Sequence, residues 1–108
     1  MSFFKPSRPA QKSNGIPVES WQLTVAGIVQ GVGFRWSVLT LAKQLGLAGN
    51  VRNNADSTVT ITLQTSLDRV NQFCSELPRN VSPMARISSI KKEKLTNVSK
   101  IHGFHVLY

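Results

Sequence analysis

The sequence predicts an α+β fold in which two helices pack on one face of a mixed or antiparallel sheet of four to five strands. Three observations predict it. Apolar residues alternate with period two at Trp21-Leu23-Val25 and again at Val59-Ile61-Leu63. They recur at helical spacing through Val38, Leu41, Ala42 and Leu45, and through Leu67, Val70, Phe73, Cys74 and Leu77. The two patterns also take turns along the chain, as in folds where helices cross over a sheet.

At 108 residues the chain has room for one modest core. Residues 1–20 are expected to be a flexible basic tail. Pro6, Pro9, Gly15 and Pro17 break any periodicity, and Lys5, Arg8 and Lys12 precede the first acid, Glu19. The tail lacks the apolar centre of a secretory signal, and no amphipathic helix of the transit-peptide kind is evident. The folded domain is expected over 21–108. It begins with a strand whose apolar face is Trp21, Leu23, Val25, Gly27 and Val29. A helix over about 35–45 follows, ended by Gly46. Gly49 to Asn53 reads as a short strand and Asn54-Ala55-Asp56-Ser57 as a turn. The next strand alternates Val59, Ile61 and Leu63 with Thr60, Thr62 and Gln64, predicting a core face and a hydroxyl-rich water face. Ser66 suits the cap of a second helix, with Asp68 in its first turn and Pro78 beyond its end. Arg86 to Leu95 is a basic strand suited to a sheet edge. Phe104, Val106 and Tyr108 alternate in a last strand. The order is the ferredoxin-like βαββαβ pattern with one strand added.

Between the first strand and the first helix lies Gln30-Gly31-Val32-Gly33-Phe34-Arg35. Its glycines allow positive φ, so successive amides can converge on an anion at the helix N-terminus. Arg35 would add a planar fork of donors. The spacing alone favours a plainer description, a tight turn with a solvated arginine. It matches neither the P-loop, which needs a lysine before Ser or Thr, nor the dinucleotide fingerprint, whose third glycine would fall on Trp36. The crossover makes the first two strands parallel, so the loop and Asn53 leave the sheet at one edge. Period two puts Asn53 on the face of Val51. By pattern alone Asn53 reads more readily as a turn residue.

Gly27-Ile28-Val29-Gln30-Gly31-Val32-Gly33-Phe34-Arg35 resembles the signature of the acylphosphatase family. The similarity continues through Ala42, Leu45-Gly46-Leu47, Gly49, Val51-Arg52-Asn53, Asp56 and Val59, and covers roughly residues 21 to 108. It implies the ferredoxin-like fold and a hydrolase acting on acid anhydrides. Arg35 and Asn53 match the arginine and asparagine held to carry catalysis in that family. Residues 30 to 35 would be the phosphate-binding loop, Asn53 would orient the attacking water, and neither metal nor cofactor is implied. Substrate and product would be a small acyl phosphate and inorganic phosphate. Ser57 stands where the family usually has glycine, Thr65-Ser66 replaces a glycine, and Ser82-Pro83 replaces Gly-Pro. Pro83-Met84-Ala85-Arg86-Ile87 is also similar to the acylphosphatase-like domain of hydrogenase-maturation carbamoyltransferases, where proline commonly takes the place of Trp36.

Other chemistry finds little support. Cys74 lies on a helix stripe, which is a place for a core thiol. His102 and His105 have no carboxylates near them in sequence, and five acids leave little for a paired-carboxylate mechanism. No apolar run nears the ~18 residues of a membrane span. A single cysteine fits a reducing, cytoplasmic setting. The net charge of +8 favours anionic partners, RNA among them. An RNA-recognition motif, however, displays aromatics on its central strands, where this chain has threonine. The expectation is a monomer with no nucleic-acid or membrane partner.

Overall fold

The structure is a computed structural model that describes residues 19–108. The predicted tail lies almost wholly outside them. In chain order the elements are β1 (Ser20–Ile28), α1 (Phe34–Gln44), β2 (Ala48–Asn53), β3 (Val59–Gln64), α2 (Leu67–Glu76), β4 (Arg86–Leu95) and β5 (Phe104–Val106), with a 3-10 turn at Leu77–Arg79. They form one five-stranded sheet in the order β4-β1-β3-β2-β5. Only β2 and β5 pair in parallel; the other neighbours are antiparallel. Two helices pack on this sheet, giving the ferredoxin-like fold.

Local chemistry sets most boundaries. Helix α1 ends at a left-handed Gly46, where Leu47 N–H donates to the Ala42 carbonyl (2.9 Å) and Gly46 N–H to that of Lys43 (3.1 Å). These two bonds satisfy the last carbonyls that a helix leaves open. Helix α2 starts where the Ser66 hydroxyl accepts from Arg69 N–H. Between them and the sheet lies the core. Phe34, Val38 and Leu41 of α1 and Val70 and Phe73 of α2 are buried with Leu23, Val25, Val51, Ile61 and Leu63 of the strands. Leu67 opens α2 and stays exposed although it belongs to the predicted stripe.

One expectation for β3 fails. Thr60, Thr62 and Gln64 are buried, not water-facing. Strand β3 is central, so each has neighbours on both sides. Thr60 stands between Thr24 and Arg52, and Thr62 between Gln22 and Asn50. Neighbours on both sides, none of them smaller than threonine, leave these side chains little contact with water. Gln64 is drawn in by hydrogen bonds: its amide donates to Ser20 Oγ and the Ser99 carbonyl, and its oxygen accepts from Ile101 N–H. Another difference lies at the end of the chain. The last strand stops at Val106, and Tyr108 is exposed beyond it.

Candidate active site

Strands β1 and β2 are both antiparallel to β3, so they run parallel with β3 between them. Their C-terminal ends share one edge of the sheet. Just before that edge, β1 carries a bulge at Ala26/Gly27 in its pairing with β4. A Cβ at Gly27 would run into the Arg86 carbonyl, so only glycine allows so close an approach. The bulge turns the chain out of the sheet into the loop that precedes α1.

Buried Val29 and Phe34 anchor the two ends of this loop in the core. Between them Gly31 and Gly33 have φ of 73° and 76°. Such left-handed residues reverse the chain within a few positions and turn amides toward one side. Gly33 is also the N-cap of α1, and no side chain caps this helix. Its first turn holds no acid, and Arg35 occupies its second position. Among the described residues, no side chain answers the partial positive charge of this helix start.

Three sets of contacts tie this cradle to its surroundings. The Gln30 amide donates to the carbonyls of Asn54 (2.8 Å) and Thr58 (2.9 Å) and so fastens the loop to the turn between β2 and β3. Within that turn the Asn54 amide donates to the hydroxyls of Thr58 (2.9 Å) and Thr60 (2.7 Å). Asp56 accepts from the Thr58 hydroxyl and N–H; the hydroxyl first, then the N–H, hold its carboxyl below the ordinary aspartate range. The third set orients Arg35. Its Nη1 donates to the Leu107 carbonyl (3.0 Å), and the Tyr108 ring lies on its guanidinium with 4.7 Å to the centroid. Leu107 N–H in turn donates to the Val51 carbonyl (2.8 Å).

Arg35 is thus tied, through one residue of the C-terminal segment, to a point two residues before Asn53. Asn53 is the last residue of β2, pairs with Val59 and is exposed. The loop 30–35, Arg35 and the strand end bearing Asn53 therefore meet at one edge, as the topology led one to expect. Gln30 as a clamp and the hold of Leu107 and Tyr108 on Arg35 are not visible in the sequence. The partners of the clamp are main-chain carbonyls, which no residue type advertises. Tyr108 had its signal spent on a strand alternation.

The competing groups lie elsewhere. Cys74 is half-buried, and burial pushes its thiol pKa up, away from a reactive thiolate. His105 Nε2 lies 2.6 Å from the His102 carbonyl, a local contact between neighbours. Among the described residues no group of three His, Cys, Asp or Glu side chains is placed to hold a metal, and no helix is long and apolar enough to cross a membrane.

Comparison with known proteins identifies the family that shares this sheet and this glycine turn. A family model described as Acylphosphatase matches residues 21–106. An acylphosphatase of Lactobacillus johnsonii is 34% identical over 86 residues, covering 80% of this chain and 94% of that protein. Carbamoyltransferase HypF2 of Cupriavidus necator is 40% identical over 86 residues, again 80% of this chain but 10% of that much longer protein. Among solved structures, the acylphosphatase from Bacillus subtilis superimposes with a TM-score of 0.75 at 30% identity, covering 83% of this chain and 99% of that one. The chain belongs to the acylphosphatase family.

Proposed function

We propose that this chain hydrolyses acyl phosphates to a carboxylate and inorganic phosphate, by direct attack of water on a bound phosphoryl group. The observation that carries the reading is the convergence at one sheet edge of an uncapped helix start, Arg35 and the end of β2 at Asn53. An acyl phosphate is a mixed anhydride. Attack at phosphorus expels a carboxylate whose conjugate acid has a pKa of about 4, so the leaving group needs no general acid. The transition state is loose, with charge spread over the phosphoryl oxygens. Positioning and charge stabilisation then supply most of the rate.

The amides of residues 31 to 35 would donate to the phosphoryl oxygens. One Arg35 N–H is engaged by Leu107 and one face of the guanidinium by Tyr108, which fixes its plane. The donors on its other edge would take two oxygens. Asn53 would orient the water through its amide, which cannot act as a base at neutral pH. Gln30 would hold the turn that follows Asn53 against the cradle. The reaction asks for no metal or covalent nucleophile, and the single cysteine fits a cytoplasmic setting.

The test is phosphate release from benzoyl phosphate by the intact chain, set against an ordinary phosphate monoester. Turnover of the first alone is expected, surviving EDTA and competitively inhibited by inorganic phosphate. Turnover of the monoester at a similar rate, or complete loss on chelation, would overturn the proposal. The match to a carbamoyltransferase supports a second reading, a domain whose substrate is carbamoyl phosphate, and that compound belongs in the same assay.

A further inference from the structure

We propose that the cradle is rimmed by an apolar collar that selects acyl phosphates with apolar acyl groups over small or polar ones; this rests on the hydrolase reading above. Six large apolar side chains are exposed among the described residues: Ile28, Trp36, Leu67, Met84, Leu107 and Tyr108. Single exposed apolar residues are normal on any protein surface. Here their placement is not scattered. Ile28 is the last residue of β1, where the chain enters the cradle, and it pairs with Arg86 at the start of β4. Met84 stands two residues before that pair. Trp36 directly follows Arg35 in the first turn of α1. Leu107 and Tyr108 are the two residues that hold Arg35. Leu67 alone belongs to the opposite end, just past Gln64, which pairs with the first residues of β1 and β2.

The chemistry gives this rim an occupant. With the phosphoryl group against the loop amides, the acyl group must point outward across the rim. Trp36 lies about 200° around the helix from buried Phe34, at ~100° per residue, so it faces away from the sheet. Long helical side chains lie back over the preceding turn, which for Trp36 is the cradle. Trp36 is 61% exposed and Met84 71%, so both have apolar surface to lose to a substrate. Ser82 fixes the loop that carries Met84: its hydroxyl accepts from Met84 N–H (3.1 Å) and its carbonyl from Ala85 N–H (2.9 Å). The unbranched thioether above that turn can follow acyl groups of different shape.

Beside this rim runs a groove of about 320 Å³ lined by Pro78, Val81, Ala85, Arg86 and Ile87. Two of its lining residues, Ile87 and Arg86, pair with Gly27 and Ile28 at the end of β1 from which the cradle leaves. The Arg86 guanidinium donates to the carbonyls of Pro83 (2.6 Å) and Ala85 (2.8 Å), so part of its hydrogen-bonding capacity is met by the main chain of the same loop. The far part of a longer acyl chain has an apolar place to lie. Contacts remote from the reacting phosphorus raise kcat/KM by lowering the energy of every bound state together.

The experiment measures kcat/KM for acetyl, butyryl, hexanoyl and octanoyl phosphate with the intact chain. These straight-chain carboxylates leave with nearly equal ease, so a slope with length reports binding. A fully buried methylene is worth roughly fourfold and a half-buried one about twofold. From acetyl to hexanoyl a rise of about tenfold or more is expected. Trp36→Ala and, separately, Met84→Ser should each reduce the slope, with circular dichroism confirming the fold. A flat series in the intact chain, or an unchanged slope in both variants, would overturn the collar while leaving the hydrolase reading intact. No turnover of any member by folded protein would overturn that reading and the collar with it.

Discussion

The two helices of this domain begin in opposite ways. Helix α2 has Ser66 as a side-chain cap and Asp68 at its second position, so its free amides and its dipole are both answered from within. Helix α1 has Gly33 as its cap residue, no capping side chain and Arg35 at the same second position. Glycine in place of serine at a cap costs only a few tenths of a kcal/mol. A cation where an anion belongs adds about 0.3–1 kcal/mol. So α1 gives up roughly 1 kcal/mol that α2 keeps. The difference is what the proposed site for an external anion would require, in a fold that caps its other helix from its own chain. A phosphate bound at α1 would supply what Ser66 and Asp68 supply at α2.

Arg35→Lys breaks the comparison at its sharpest point and should have the largest effect. Lysine keeps the charge but loses the fork and the stacking on Tyr108. Loss of about 10²–10³ in kcat/KM on benzoyl phosphate is expected, the range seen when one preorganised donor is removed. Phosphate affinity should fall as well. Saturating phosphate, about a hundredfold above Kd, should stabilise the intact chain by ~2.7 kcal/mol, and the variant far less at the same concentration. Near-normal kinetics for Arg35→Lys would mean that charge alone suffices.

Asn53→Ala divides the cradle from the water. Asn53 ends β2 beside the cradle and is proposed to act on the nucleophile only, so its loss should appear in kcat. A fall of about 10²-fold is expected, with inorganic phosphate still bound at nearly its original affinity by calorimetry. Loss of phosphate binding as severe as in an Arg35→Ala variant would remove the water-positioning role.

At the other helix the same logic predicts the reverse pattern. Ser66→Ala leaves Arg69 N–H without its partner and should cost about 1 kcal/mol of stability. For a domain of this size that is a fall of roughly 4–8 °C in Tm. Turnover per folded molecule should be unchanged. A drop in kcat with this variant would show that the two helix starts are not independent.

How far the sequence carries depends on whether a feature speaks through its own residue type. Ser66 as a cap, Gly46 as a helix end and β4 over Arg86–Leu95 are local, and all are legible from spacing. The meeting of Arg35 with the end of β2 is legible too, because parallel strands around one crossover must end together. The burial of Thr60 and Thr62 is not, since it depends on which strands flank β3. Arg35 and Leu107 are far apart in sequence and meet through a main-chain carbonyl, so their contact leaves no pattern. Gln30 was readable as part of a loop, but its task of clamping Asn54 and Thr58 comes from the turn folding back.

The smallest expected effect concerns that turn. Ser57 has φ of 77°, left-handed backbone at the position where the resemblance leads one to expect glycine. Its N–H donates to the Asn54 carbonyl (3.3 Å), the same oxygen that Gln30 holds, so strain at Ser57 sits one bond from the clamp. For a residue with a Cβ this conformation costs roughly 1 kcal/mol or a little more. Ser57→Gly removes that cost but frees the unfolded chain, which returns about 0.4–1 kcal/mol. The balance is a gain of a few tenths of a kcal/mol. It should read as a rise of one or two degrees in Tm, at the steepness usual for a small domain. Because Asn54, Asp56 and Thr58 keep their own bonds, kcat should stay within about twofold of the parent value. A large fall in kcat would mean that the serine turn is tuned to aim Asn53, and that the departure from glycine belongs to the site instead of to the loop alone.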